Sequence, residues 1–151
     1  MTDDMSDVFS KEKRSWIMSR VKGRDTTPEI LVRSCLHRMG FRFRIHRRDL
    51  PGNPDIVLSR HAKVVFVHGC FWHGHKGCMR SKRPTTHKGF WNRKLDRNIE
   101  RDQRFRKTLR RKGWKVLVIW QCETRKPAKL LPKLEKFLSG ELRNESKASR
   151  P

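Results

Sequence analysis

The chain is organised around one stretch, V-V-F-V-H-G-C-F-W-H-G-H-K-G-C, which spans residues 64–78. Residues 64–67 are apolar and β-branched and are soon followed by Gly69, which predicts a short buried strand. Two thiols and two imidazoles come directly after it within nine residues: Cys70, His73, His75 and Cys78. This spacing is typical of metal ligands. Because loops that leave a buried strand often carry function, we expect the functional site here.

The composition predicts a single intracellular domain with a polyanionic partner. The 151 residues carry 38 Lys and Arg against 15 Asp and Glu, a formal net charge of +23, and 34% of them are hydrophobic. The basic residues are spread along the chain and mixed with apolar periodicity, unlike a basic tail, so nucleic acid is the expected partner. Neither a membrane-spanning run nor a signal-peptide pattern is seen. We therefore expect no membrane partner and reduced, metal-binding or free cysteines.

The first half of the chain predicts a helix followed by strands. Residues 1–14 are expected to be flexible, and 11–21 to form a short basic helix that packs on a partner or on the chain's own core. The next helix has Thr27 as N-cap, Pro28 at its first position and Gly40 at its end, with an apolar face that includes the core thiol Cys35. That face comprises Ile30, Leu31, Cys35, Leu36 and Met39.

Three strands are predicted next, at residues 41–45, 55–58 and 64–67. A turn at 50–54 separates the first two. The last two form a hairpin, because only residues 60–63 connect them. This hairpin would place Asp55 opposite Val67 and His68.

The second half predicts helix, strand and helix. A long helix over 90–112 has an acid, Asp102, on its apolar face, which requires a polar partner. The other residues of that face are Trp91, Leu95, Ile99, Phe105 and Leu109. A central strand at 115–120, a helix at 127–138 and a disordered tail at 141–151 follow. Together these elements predict a compact α/β domain over 15–140, with a mixed central sheet flanked by helices.

Four of the metal-ligand candidates fit one tetrahedral Cys₃His zinc site: Cys70, His75, Cys78 and Cys122. The alternative is that the cysteines are free and His75 lies on the surface. His73 could also replace His75, but Trp72 and Gly74 on either side of it suggest a separately oriented residue. The acids Asp55, Glu29 and Asp102 have no thiol partner, and such carboxylates bind Mg²⁺. A histidine beside them can act as a general base, which points to phosphodiester hydrolysis.

Several motifs together resemble a known family. Pro54-Asp55 on a hairpin resembles the metal-binding end of the PD-(D/E)xK nucleases, although Val67-His68-Gly69 replaces their Glu-x-Lys. The combination of L-P-G-N-P-D-I-V, V-F-V-H-G-C-F-W-H-G-H, N-I-E-R-D and G-W-K-V-L-V-I-W-Q-C is similar to the very short patch repair (Vsr) mismatch endonucleases. The resemblance covers roughly residues 15–138.

The resemblance implies a restriction-endonuclease-like fold and a strand-specific nick 5′ of the T in T:G mismatches, which arise by 5-methylcytosine deamination. Asp55 and the Val67 carbonyl would bind catalytic Mg²⁺, with Glu29 as an auxiliary acid. His73 would be the general base, oriented by Asp102. The zinc ligands would be Cys70, His75, Cys78 and Cys122, and the residues inserted into the base stack would be Phe71, Trp72, Trp91 and Met18.

The resemblance also implies a nucleoid-associated monomer acting on double-stranded DNA, with mismatch-repair proteins and a repair polymerase as partners. Two other functions stay open. One is a restriction-like or differently specific nicking endonuclease, and the other is a non-catalytic, zinc-stabilised DNA-binding module. The second explains the charge, the zinc ligands and the aromatic residues, but not Asp55, His73 and Asp102.

Overall fold

The structure is a computed structural model that describes the backbone of residues 26–148 and the side chains of residues 26–139. The predictions for 1–14, for the basic helix at 11–21 and for Met18 lie outside these residues. The described helices are α1 Thr27–Arg38, α2 Lys88–Arg111, α3 Gln121–Thr124 and α4 Pro127–Ala148, and the strands are β1 Ile56–Leu58, β2 Lys63–His68 and β3 Lys115–Trp120. Short 3₁₀ turns lie at Ser59–His61 and Met79–Ser81.

The three strands form a mixed sheet in the order β1-β2-β3. β1 is antiparallel to β2, with Ile56 opposite Val65, whereas β3 is parallel to β2, with Leu117 opposite Val65. The mixed sheet and the hairpin are therefore confirmed. The prediction that β3 is central is wrong, because within the described chain β2 is the middle strand. An apolar run predicts burial, but within β3 only Ile119 is fully buried and the other residues are partly or fully exposed, as expected at the edge of a sheet.

Side chains alternate between the two faces of the sheet and meet helices on both. On one face Ile56, Leu58, Val65 and Ile119 pack with the buried residues of α1 and α4. On the other, Val57, Val64 and Phe66 pack with Leu109 of α2. The flanking helices of the predicted α/β domain are thus found, and the carboxyl ends of β2 and β3 lie side by side.

Helix α1 begins one residue earlier than predicted and presents a different face. Its N-cap is Thr26, whose side chain accepts a hydrogen bond from the Glu29 backbone N–H at 3.3 Å. Two residues assigned to its core face are instead exposed, Ile30 by 51% and Leu31 by 40%, and Val32 is fully buried. The helix is rotated so that Glu29, Val32, Cys35 and Leu36 point inward. The core position of Cys35 is confirmed.

The predicted strand at 41–45 is wrong: this segment makes a single β-bridge, between Arg44 and Val57. Two residues later, His46 has a φ of 58°. This left-handed conformation turns the chain away from β1 after one pair. The turn that follows is confirmed by a hydrogen bond of 3.1 Å from the Asn53 N–H to the Leu50 carbonyl.

The last two long helices differ from the predictions at their ends. Helix α2 begins at Lys88, two residues early, and its C-cap is Lys112 beside Gly113, whose φ is 94°. Helix α4 continues to Ala148, past the predicted end at 138. Residues 141–148 of the predicted disordered tail are therefore helical, and 149–151 lie outside the described chain. None of the described helices is both long and apolar enough to cross a bilayer.

Candidate active site

The hairpin brings Asp55 to the end of β2. The Val67 backbone N–H donates a hydrogen bond of 2.6 Å to Asp55 Oδ2. Because Asp55 directly precedes β1 and the strands are antiparallel, the start of β1 lies beside the end of β2. The predicted juxtaposition of Asp55 with Val67 is therefore found, and the carboxylate lies where the functional loop begins.

Asp55 and Glu29 face one cavity of about 280 Å³. Burial raises the pKa of the Asp55 carboxyl to about 7, against the opposing effect of the Val67 N–H, and the charge of Glu29 raises it further. Glu29 is itself buried on α1 and forms an ion pair of 3.0 Å with Arg33. Two acids that line one partly enclosed cavity form a suitable oxygen site for a hard divalent cation.

His73 meets the buried acid of α2. Its Nδ1 lies 2.5 Å from Asp102 Oδ2, and the two residues are 29 positions apart in sequence. This contact supplies the polar partner that Asp102 requires on an apolar helix face. If Nδ1 donates its proton to the carboxylate, Nε2 of His73 keeps a lone pair that can accept one. The pair therefore has the arrangement of an oriented general base.

The loop that carries His73 is held tightly against α2. The Asn98 side chain donates a hydrogen bond of 3.2 Å to the Trp72 carbonyl. Next to His73, Gly74 has a φ of 64°, and a Cβ at this position would lie 2.4 Å from Ile99 Cδ1. Only glycine fits both the backbone and the space. These contacts fix the backbone on both sides of His73.

His68 was not assigned a role from the sequence, and the structure places it in the same group. Its ring stacks on that of His73, with centroids 3.9 Å apart and an angle of 9° between the planes. Burial, followed by the charge of His73, lowers the pKa of His68 to about 3, so its imidazole is neutral at physiological pH. Among the described residues its buried Nδ1 has no hydrogen-bond partner. The signal in the sequence that could have indicated this position was a polar residue at the end of an otherwise apolar strand.

The other loop ligands gather at a second centre. The ligand atoms of Cys70, His75, Cys78 and Cys122 all lie within 4.8 Å of one another. Cys122 reaches them from α3, immediately after β3, and its Sγ lies 3.4 Å from His75 Nδ1. Burial raises the pKa of the Cys70 thiol to about 11, and a metal that replaces its proton would remove this penalty. Four nitrogen and sulfur donors in one cluster fit a tetrahedral metal site.

The structure separates two histidines that the sequence left interchangeable. His73 belongs with Asp102 and His68, whereas His75 belongs with the cysteines. The His75 ring also stacks on Trp120, with centroids 4.3 Å apart. One loop therefore supplies two sites.

The aromatic side chains of Phe71, Trp72 and Trp91 form a cluster near the surface. Phe71 packs edge-on against Trp72 and Trp91 at centroid distances of 5.1 and 5.6 Å, and the two indoles lie 6.0 Å apart. All three are half-buried. Phe90, which the sequence analysis did not single out, is 53% exposed and packs on Trp91. Met18, the fourth predicted member, lies outside the described residues.

Comparison with known proteins identifies the family. The family model "DNA mismatch endonuclease Vsr" matches residues 6–80. The Type II nicking enzyme V.XorIIP of Xanthomonas oryzae is 50% identical over 119 residues, which are 79% of this chain and 87% of that protein. The DNA mismatch endonuclease Vsr of Escherichia coli is 40% identical over 142 residues, 91% of this chain and 90% of that protein.

A solved structure gives the same fold. The catalytic domain of homing endonuclease I-Bth0305I superposes with a TM-score of 0.55 at 24% identity and covers 77% of this chain and 97% of that domain. The predicted restriction-endonuclease-like α/β fold is thereby confirmed. With the family match and the nicking relatives, it makes the protein a DNA endonuclease, a hydrolase of phosphodiester bonds. The chain belongs to the Vsr family of DNA mismatch endonucleases.

Proposed function

We propose that this enzyme is a Mg²⁺-dependent mismatch endonuclease that nicks one strand 5′ of the T in T:G mismatches left by 5-methylcytosine deamination. The observation that carries the proposal is the presence, near the end of β2, of a cavity lined by two acids and of an oriented histidine. Asp55 lines that cavity, and His73 bonds to Asp102. Carboxylates suit Mg²⁺, and a positioned base suits water activation.

In this mechanism Asp55 and the Val67 carbonyl would hold the catalytic Mg²⁺, with Glu29 as an auxiliary acid. That ion, when bound, stabilises the negative charge that builds on the phosphate. His73 Nε2 takes the proton of the attacking water as its oxygen bonds to phosphorus and the ester oxygen of the broken strand departs. Asp102 keeps the ring in the correct orientation and stabilises the imidazolium that forms.

The second centre would hold one structural Zn²⁺. Its four donors close the coordination shell and leave no position for water, as in structural sites. Because Cys70 directly precedes Phe71 and Trp72, the bound metal would also hold the aromatic cluster in place. We propose that Phe71, Trp72 and Trp91, with Met18, enter the base stack, which is easiest to open at a mismatch.

The setting of the reaction follows from the family resemblance. We propose an intracellular, nucleoid-associated monomer whose substrate is double-stranded DNA with a T:G mismatch. Mismatch-repair proteins and a repair polymerase would act with it. The net charge of +23 supports a DNA partner through phosphate neutralisation.

A panel of end-labelled duplexes tests the proposal. T:G, T:A and C:G pairs in varied flanks are incubated with and without Mg²⁺, with each strand labelled in turn. We expect a nick only with Mg²⁺, only 5′ of the T and much faster in T:G duplexes. Equal nicking of matched duplexes would instead indicate a differently specific nicking endonuclease. This alternative has a basis in the comparisons, because several relatives are named Type II nicking enzymes. Tight binding without any cleavage would indicate a non-catalytic DNA-binding module.

A further inference from the structure

The cavity at Asp55 has a basic side that the proposed hydrolysis does not use. One end is formed by Asp55 and Glu29, and four of the remaining lining residues are basic or imidazole side chains. These four are Arg33, His46, Arg47 and Arg48. Three of them belong to the segment between the Arg44 bridge and Asp55. Opposite charges therefore line one cavity, with the acids at the proposed metal site.

Two of these arginines are engaged by acids within the protein. Arg33 pairs with Glu29 at 3.0 Å. Arg47 forms a bidentate pair with Asp49, at 2.7 Å from Nε and 3.0 Å from Nη2. Arg48 is exposed, and no residue in the described part of the chain forms a hydrogen bond or an ion pair with it. Its charge is available to a ligand in the cavity.

The segment that carries Arg48 is anchored by the residues that precede it. Arg44 exchanges two backbone hydrogen bonds with Val57 of β1, at 2.8 and 2.9 Å. The Arg47 guanidinium donates to Ser59 Oγ at 2.9 Å and lies 5.9 Å above the Trp114 ring. Positive φ values at His46 and Asn53 mark strained backbone of the kind often kept at functional sites. Arg48 is therefore presented from a fixed backbone.

We propose that Arg48 binds a phosphate of the nicked strand that neighbours the cleaved one. This inference rests on the proposed function, in which the cleaved phosphate lies at the cation held by Asp55 and the Val67 carbonyl. The adjacent phosphate of the same strand then needs a positive partner of its own within the same cavity. A guanidinium supplies one, because its planar fork matches two phosphate oxygens.

The test is a binding experiment that separates this contact from general charge. Arg48→Gln is compared with wild type and with Arg60→Gln, an exposed arginine of the Ser59–His61 turn that does not line the cavity. Each protein is titrated, in Mg²⁺-free buffer, with the duplex that wild type nicks best. One phosphate at a time around the nick is replaced by an uncharged methylphosphonate. Melting temperatures establish that both variants are folded.

We expect one methylphosphonate next to the nick to weaken wild type and Arg60→Gln by about five- to tenfold, and Arg48→Gln by less than about twofold. The slope of log K against log salt should also fall by about 0.9 in Arg48→Gln, the loss of one phosphate contact. Equal methylphosphonate penalties in Arg48→Gln and wild type would overturn the assignment, as would the same loss in Arg60→Gln. The duplex for this test is the one that wild type nicks fastest, whatever its base pair. A lack of preference for T:G would therefore be seen in the wild-type duplex panel and would not affect the test of Arg48.

Discussion

The two sites that contain side chains of residues 69–78 share one loop, but their ligand atoms differ in chemistry. His73 contacts the Asp102 carboxylate and is grouped with it and His68, whereas His75 is grouped with three thiols. Oxygen donors favour hard cations such as Mg²⁺, and sulfur donors favour zinc. His73 and His75 are separated in sequence only by Gly74. Their different roles are therefore set by the partners that tertiary folding brings to each of them.

The two sites also differ in what they would do for the protein. The cysteine centre joins the loop that follows β2 to α3, which follows β3. It therefore links the carboxyl ends of the two strands. The acidic site instead leaves a cavity open for a substrate. Variants at the first should therefore lower stability, and variants at the second should lower the rate of nicking with little effect on stability.

The largest effect is expected at the acidic site. Asp55→Asn keeps an oxygen that can accept the Val67 N–H but removes the negative charge, and His73→Ala removes the proposed base. Each should slow single-turnover nicking by about 10²–10⁴-fold, the usual contribution of a positioned base. Both variants should stay folded and should still bind mismatched DNA. Asp96→Asn, an exposed acid on α2, is the control. Near-wild-type nicking by either variant would remove that residue from its proposed role.

The next effect is expected at the cysteine centre and should appear as stability. Cys70→Ser and Cys122→Ser each remove one donor from the cluster. Wild type should carry about one zinc per chain, and both variants less. A loss of about 3–5 kcal/mol would lower the melting temperature by roughly 10 °C in a chain of this size. Elemental analysis and thermal unfolding measure the two together.

Cys35→Ser is the matched control for the cysteine variants, because Cys35 is buried in the core away from the cluster. It should keep its zinc even though a buried hydroxyl costs some stability. If purified wild type is free of metal yet fully stable and active, the cluster has no structural metal and the comparison between the two sites fails.

A smaller effect concerns the pH dependence of stability. The pKa of Asp55 rises from 3.8 to about 7 on folding, chiefly because of burial. Between about pH 4 and pH 7 the unfolded chain therefore gives up a proton that the folded protein keeps. In Mg²⁺-free buffer, wild type should lose stability relative to Asp55→Asn as the pH rises through this range, by at most about 1.4 kcal/mol per pH unit.

Chemical denaturation at several pH values measures this difference, and the subtraction cancels changes at the cysteine centre that both proteins share. Above about pH 7 the difference should be constant. A difference that stays flat from pH 4 to pH 7 would show that Asp55 is ionised throughout, and thus that its burial is weaker than the structure indicates.

The smallest effect is expected in the aromatic cluster. Trp72→Ala and Trp91→Ala should weaken mismatch binding by roughly 1–3 kcal/mol per lost stack and narrow the gap between T:G and T:A nicking rates. A purely core role would instead lower stability by about 3–5 kcal/mol. Trp91 is the more structural of the two, since it begins the apolar face of α2.

Trp114→Ala provides the contrast, because Trp114 packs against the core beside Arg47. It should lower the melting temperature and leave the preference for T:G intact. Paired melting and nicking measurements on all three variants decide the question. If Trp72→Ala behaves like Trp114→Ala, the aromatic cluster is structural and plays no part in recognition.

The sequence by itself determined the features that depend on neighbouring residues. The β-branched run of β2, the bounds of β3 and the Gly40 stop of α1 are all found. Loop spacing pointed to Cys70, Cys78 and one of two histidines as a metal-binding cluster, and the need of Asp102 for a partner followed from its place on an apolar face. These signals are strong because capping, periodicity and ligand spacing act within a few residues.

Only the tertiary structure decided which distant residues meet. It assigned His73 to Asp102 and His75 to Cys122, stacked His68 on His73, and rotated α1 so that Glu29 shares a cavity with Asp55. It also made β2 the middle strand and reduced 41–45 to one bridge. The physical reason is that packing around a shared core sets these contacts, and the local pattern of a segment does not show which other segments will cover it.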